Sequence, residues 1–156
     1  LIVLRTLSKA FGLAGVRAGY ALASTAMMEA LNLVKPPYHM SALDQLAALV
    51  CLNQADEVQA TLEKVVRWRD QMAAEIRGMD TREPVTVYPS QANFLLVHTP
   101  LATRMNQRLQ EEGILVRSYG ESGPLAHCLR ITIGTEEENR QFLRHFTTMH
   151  STKEES

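Results

Sequence analysis

Along this chain, short apolar runs alternate with longer stretches in which apolar residues recur every three or four positions. Leu1-Ile2-Val3-Leu4 has the length and type of a buried strand, and Val16 to Ala23 reads as a second one. Ser24 is placed to cap a helix through about Val34, which Pro36-Pro37 stops. Ser41, with Asp44 in the first turn, opens another helix whose apolar face is Leu43, Leu46, Ala47, Leu49, Val50 and Cys51. From about Asp56 to Met79, Val58, Leu62, Val65, Val66, Met72 and Ile76 keep mostly helical spacing and predict a long helix.

The pattern then changes. Val85 to Tyr88 and Asn93 to His98 read as strands separated by Pro89 and Ser90. A helix near Leu101 to Glu112 ends at Gly113, Ile114 to Ser118 and Cys128 to Ile133 are strands, and Thr135 caps a last helix reaching about Met149. This order implies a small sheet with helices packed on one side, an α+β arrangement. Residues 1–54 therefore read as the remnant of a larger sheet domain, residues 55–150 as a small α+β domain, and residues 151–156 as a polar, mobile tail.

Composition narrows the function classes. The 156 residues are 46% hydrophobic and 21% charged, as in ordinary globular proteins. A formal net charge of -1, from 16 basic and 17 acidic residues well interspersed, gives no reason to invoke nucleic acid or an anionic membrane surface. Cys51 and Cys128 lie far apart in apolar surroundings and read as free buried thiols. His39, His98, His127, His145 and His150 show no i, i+4 ligand pair, so no metal site is expected. No stretch approaches the ~20 apolar residues of a membrane span.

The chemistry concentrates in Arg5-Thr6-Leu7-Ser8-Lys9-Ala10-Phe11-Gly12-Leu13-Ala14-Gly15-Val16-Arg17. An apolar strand delivers two hydroxyls and a lysine onto a small-residue turn, and an arginine follows eight positions after the lysine. A lysine becomes nucleophilic where desolvation or a second cation disfavours its charge, and Arg17 is a candidate second cation. Lys9 thus suits an imine-forming amine. Thr6 and Ser8 can donate hydroxyls to phosphate oxygens, and Arg17 can bind them as a charged fork. Thr6-x-x-Lys9 also fits a Ser/Thr-x-x-Lys acylation pattern, but its Ser-Asp-Asn and Lys-Thr-Gly companions are missing.

A second signal lies in Gly113-Ile114-Leu115-Val116-Arg117 and Cys128-Leu129-Arg130-Ile131-Thr132-Ile133-Gly134. Strand alternation puts Leu129, Ile131 and Ile133 on one face and Cys128, Arg130 and Thr132 on the other. If Arg130 is buried in so apolar a strand it needs an anion. Edge arginines in solvent are the plain alternative for both Arg117 and Arg130.

Thr6 to Gly15, with the Lys9-to-Arg17 spacing, resembles the cofactor attachment site of the fold-type I pyridoxal-phosphate-dependent aminotransferases, an α/β fold. Cys-Leu-Arg-Ile-Thr, with an arginine thirteen residues upstream, is most similar to their histidinol-phosphate branch. The resemblance covers the chain to about residue 149 and implies that Lys9 is the Schiff-base lysine and proton carrier. It further implies that Thr6, Ser8 and Arg17 hold the phosphate of pyridoxal 5'-phosphate, that Arg130 grips the substrate carboxylate, and that Arg117 helps hold a substrate phosphate. By the same resemblance, residues 1–54 belong to the large cofactor domain and residues 55–150 to the small C-terminal domain.

The implied reaction is histidinol-phosphate:2-oxoglutarate transamination in histidine biosynthesis, in a homodimeric, cytoplasmic parent enzyme that takes amino-acid phosphate and 2-oxo acid substrates. The alternatives are another enzyme of the same fold (an aromatic or other amino-acid aminotransferase, or an amino-acid phosphate decarboxylase) and a non-catalytic domain retaining the motif. Nothing here matches the family's pyridine-nitrogen aspartate or its ring-stacking aromatic. The expectation is therefore an upstream segment bearing both, and negligible turnover by the 156 residues alone.

Overall fold

The computed structural model describes residues 1–150; the expectation for residues 151–156 lies outside the described residues. The chain forms two compact units, Leu1–Leu62 and Glu63–Ser156.

In the first unit, strands β1 (Val3–Thr6) and β2 (Gly19–Leu22) pair antiparallel, with Thr6 opposite Gly19 and Val3 opposite Leu22. The second strand is thus shorter than the apolar run predicted, and Arg17 lies before it. A single 3-10 turn (Ala14–Val16) ends on Arg17, which adopts the left-handed conformation (φ 57°, ψ 28°) and so breaks the extended run. Helices α1 (Thr25–Val34) and α2 (Ala42–Asn53) follow. Ser41 caps α2, its Oγ accepting from the Asp44 backbone N–H at 3.1 Å, whereas Ser24 occupies the cap position of α1 without a side-chain bond.

The hydrophobic residues buried in this unit are Leu7, Ala18 and Ala48, supported by Phe11, Leu13, Val16 and Met40. Leu4, Leu22, Leu33, Leu43, Leu46 and Leu49 remain exposed. So small a core beside so much exposed apolar surface is unusual for a free-standing domain.

Helix α3 (Ala55–Arg77) carries the boundary, and from Glu63 onward it belongs to the second unit. There, β3 (Thr86–Val87), β4 (Phe94–His98), β5 (Arg117–Ser118) and β6 (Cys128–Thr132) form an antiparallel sheet in the order β3-β4-β6-β5. Helices α4 (Ala102–Glu111) and α5 (Glu136–His150) complete it. The predicted elements are all present, and β3 and β5 are reduced to two residues each. A continuous core joins Met72 and Ile76 of α3, Leu95 and Val97 of β4, Met105 and Leu109 of α4, Leu129 and Ile131 of β6, and Phe142 and Phe146 of α5. These strand residues alternate with exposed or half-buried ones, so the helices cover one face of the sheet.

Thr135 and Glu138 start α5 with reciprocal bonds: the Thr135 N–H donates to Glu138 Oε2 at 2.7 Å, and the Glu138 N–H donates to Thr135 Oγ1 at 3.4 Å. Both cysteines are free, and Cys51 is half-buried rather than buried, because the first unit buries only Leu7, Ala18 and Ala48 and Cys51 is not among the residues packed on them. Among the described residues no helix is long and apolar enough to cross a membrane, and no cluster of His, Cys, Asp or Glu has metal-binding geometry.

Candidate active site

The lysine turn is built by the hairpin that encloses it. Beyond the Thr6–Gly19 pair the Leu7 N–H donates to the Ala18 carbonyl at 3.1 Å, and the Leu13 N–H returns to the Leu7 carbonyl at 3.0 Å. Leu7 and Ala18 are buried, so these two residues pin the base of the loop while Ser8 and Lys9 project from it. Gly12, with φ of 68°, allows its N–H to reach the Lys9 carbonyl at 3.1 Å.

Gly19 serves a different need. A Cβ there would stand 2.6 Å from the Arg5 carbonyl oxygen, so only glycine lets the two strands close at this level.

Thr6 and Ser8 are brought together. The Thr6 hydroxyl donates to Ser8 Oγ at 2.8 Å, and the Ser8 N–H donates to Thr6 Oγ1 at 3.1 Å. This local turn sets the two hydroxyls side by side. The Arg17 Nη1 donates to the Ala14 carbonyl at 3.0 Å. One bond to a carbonyl leaves most of the guanidinium's five donors open. Lys9 is exposed, so the desolvation expected around its amine is not supplied by the described residues.

The arginines of the second unit meet on one sheet face. Arg117 of β5 is the direct register partner of Arg130 of β6, and Leu96 of β4 is the partner of Arg130 on its other side. Residues opposite each other across an antiparallel ladder share a face, and like charges so placed repel. Arg130 is exposed rather than buried, because Leu129 and Ile131 take the helix-covered face and leave Arg130 on the open one. No internal anion is therefore required, and the charge remains available.

The end of β6 is fixed by buried Asn139, whose amide donates to the Gly134 carbonyl at 3.0 Å while its Oδ1 accepts from the Gly134 N–H at 2.9 Å. That clamp holds the strand carrying Arg130.

Two aromatic residues that the sequence did not mark as functional lie beside these arginines. The Arg130 guanidinium lies over the Phe94 ring at 5.2 Å from its centroid, and the Arg117 guanidinium over Tyr119 at 5.8 Å. The i, i+2 spacing of Arg117 and Tyr119 was the available signal for one. Phe94 needed the β4–β6 register.

A family model described as aminotransferase class I and II matches residues 1–146. A histidinol-phosphate aminotransferase of Ruminiclostridium cellulolyticum is 41% identical over 139 residues, covering 89% of this chain and 38% of that protein. Among solved structures, a putative aminotransferase of Burkholderia pseudomallei superposes with a TM-score of 0.80 at 30% identity, over 95% of this chain and 44% of that one. A histidinol-phosphate aminotransferase of Sinorhizobium meliloti, solved in complex with pyridoxal-5'-phosphate, gives 0.70 at 28% identity, over 92% of this chain and 39% of that one. The chain thus spans about two fifths of the length of the curated relatives it matches.

Proposed function

The chain belongs to the class I and II aminotransferases, and from that membership we propose that it carries the cofactor lysine and the substrate anion face of a histidinol-phosphate aminotransferase. Its fold is that of the fold-type I transferases. We read residues 1–54 as part of the large cofactor domain and residues 55–150 as the small domain; the thin, apolar-surfaced first unit supports this. The homodimer is part of the same proposal.

The observation that carries the substrate assignment is the register pairing of Arg117 with Arg130 on one open face. Histidinol phosphate carries a phosphate of roughly −1.5 to −2 charge and no carboxylate. Its partner, a 2-oxo acid, carries a carboxylate where that phosphate would lie. Two adjacent guanidiniums match a dianion, and one suffices for a carboxylate. Arg130 therefore serves both half-reactions through paired N–H···O bonds, while Arg117 is added for the phosphate.

The residues of the first unit fit pyridoxal phosphate. Two adjacent hydroxyls and a mostly free guanidinium form a donor set for a phosphate, and the Cβ positions of Gly12 and Gly15 face open space. Thr6, Ser8 and Arg17 would hold that phosphate, and Lys9 Nζ would hold the cofactor covalently. When bound, the cofactor supplies an electron-withdrawing ring that acidifies the substrate Cα. Lys9 Nζ, as the free amine, would accept the proton from the substrate Cα and pass it to the cofactor carbon rather than back to Cα.

Borohydride reduction of the complete enzyme loaded with pyridoxal phosphate tests the first half: a stable label at Lys9, absent in Lys9→Ala, is expected. A substrate panel tests the second. Preference for aromatic amino acids, or release of carbon dioxide from an amino-acid phosphate, would redirect the assignment.

A further inference from the structure

The paired arginines lean apart. Phe94 stands opposite Thr132, two residues toward one end of β6 from Arg130, and it lies on β4. Tyr119 follows Arg117 on the other side of β6, level with Cys128, to whose carbonyl its N–H donates at 3.1 Å. Each guanidinium lies over one of these rings, so Arg130 leans toward β4 and the Thr132 level, and Arg117 toward the Cys128 level. Two like charges that begin as direct register partners are thereby displaced in opposite directions along the sheet.

We propose that Phe94 and Tyr119 are positioning residues that hold the Arg130 and Arg117 guanidiniums to opposite sides of their register pair, leaving the space between them open to an anion that both can bind. The argument rests on the substrate-face reading above. A cation over an aromatic face is attracted by the ring quadrupole, and the attraction orients the guanidinium plane as well as retaining it. Without the rings, the two long side chains would spread over many rotamers, and each anion bound would have to order them first. The rings make that ordering a property of the free protein. Phe94 serves any anion held by Arg130, whereas Tyr119 serves only an anion that also needs Arg117.

The test is a titration of the full chain with inorganic phosphate and, separately, with acetate, read from the Arg117 and Arg130 Nε–Hε resonances. Phe94→Leu is expected to weaken both anions about two- to fivefold, and Tyr119→Leu to weaken phosphate by a similar factor without changing acetate. Phe94→Tyr and Tyr119→Phe, which keep the rings, are expected to match the unsubstituted protein. If Phe94→Leu loses its folded spectrum, the Tyr119 pair decides alone. Leucine variants that bind phosphate as tightly as the parent, in a protein where Arg130→Ala abolishes binding, would overturn the positioning role and leave the substrate face intact. Phosphate that moves neither arginine resonance would overturn both.

Discussion

Substituting Gly19 by alanine should loosen the lysine turn without removing any side chain assigned to chemistry. The added Cβ would stand 2.6 Å from the Arg5 carbonyl oxygen and 3.6 Å from the Thr6 Cα, whereas real Cβ atoms essentially never come within 3.0 Å. The strands must therefore part by at least ~0.4 Å at a level where both partners are backbone and neither can rotate away. Overpacking of this kind costs about 1–3 kcal/mol. Gly19 pairs with Thr6, and the next bond along, Leu7 N–H to Ala18 carbonyl, pins the loop that aims Thr6 and Ser8. Cofactor affinity should consequently fall while Lys9 remains chemically competent. Equilibrium unfolding, together with titration of the complete enzyme with pyridoxal phosphate, reads the two effects. A Gly19→Ala protein with parental stability and parental cofactor affinity would refute the reasoning, since it would mean the hairpin can open at no cost.

Three further outcomes follow from the same structure. Phe146, fully buried against Phe142 and stacked at 4.4 Å on His150, should cost about 3–5 kcal/mol when changed to alanine, seen as a lower unfolding midpoint of the second unit. Burial lowers the pKa of His150 below its ordinary 6.5, against smaller raising effects from its bond to the Phe146 carbonyl and from Glu83. Its contribution is then intact above about pH 6.5 and is lost as pH falls toward the folded-state pKa, because only the unfolded chain gains the proton readily; His150→Gln should flatten this limb in acid-unfolding curves. Arg117→Ala in the complete enzyme should impair the half-reaction with histidinol phosphate more than that with the 2-oxo acid, whereas Arg130→Ala should impair both, as separate single-turnover measurements would show.

Much of this architecture was legible beforehand because its signals are local. Apolar periodicity predicted the helices, and Ser41 with Asp44, and Thr135 by itself, predicted two of their starts. The strand containing Arg130 alternates clearly enough that its two faces could be assigned from residue order. The limits were equally physical. Val16 to Ala23 looked like one strand, yet Arg17 turns left-handed so that the loop can close over buried Leu7 and Ala18. Ile114 to Val116 looked like strand, but only Arg117 and Ser118 find ladder partners. Ser24 was a reasonable cap and forms no cap bond.

For the lysine turn, the sequence alone determined its chemical vocabulary: two hydroxyls, an amine and a guanidinium at fixed spacing after an apolar strand. Adjacent residues share a turn whatever the rest of the chain does, so Thr6, Ser8 and Lys9 could be grouped from order alone. For the arginine face, tertiary structure made the decision. Arg117 and Arg130 are thirteen residues apart, and Phe94 is thirty-six from Arg130, so only the β4-β6-β5 register places them on one open face. Register depends on which side chains the core will accept, a property of all the strands and helices together.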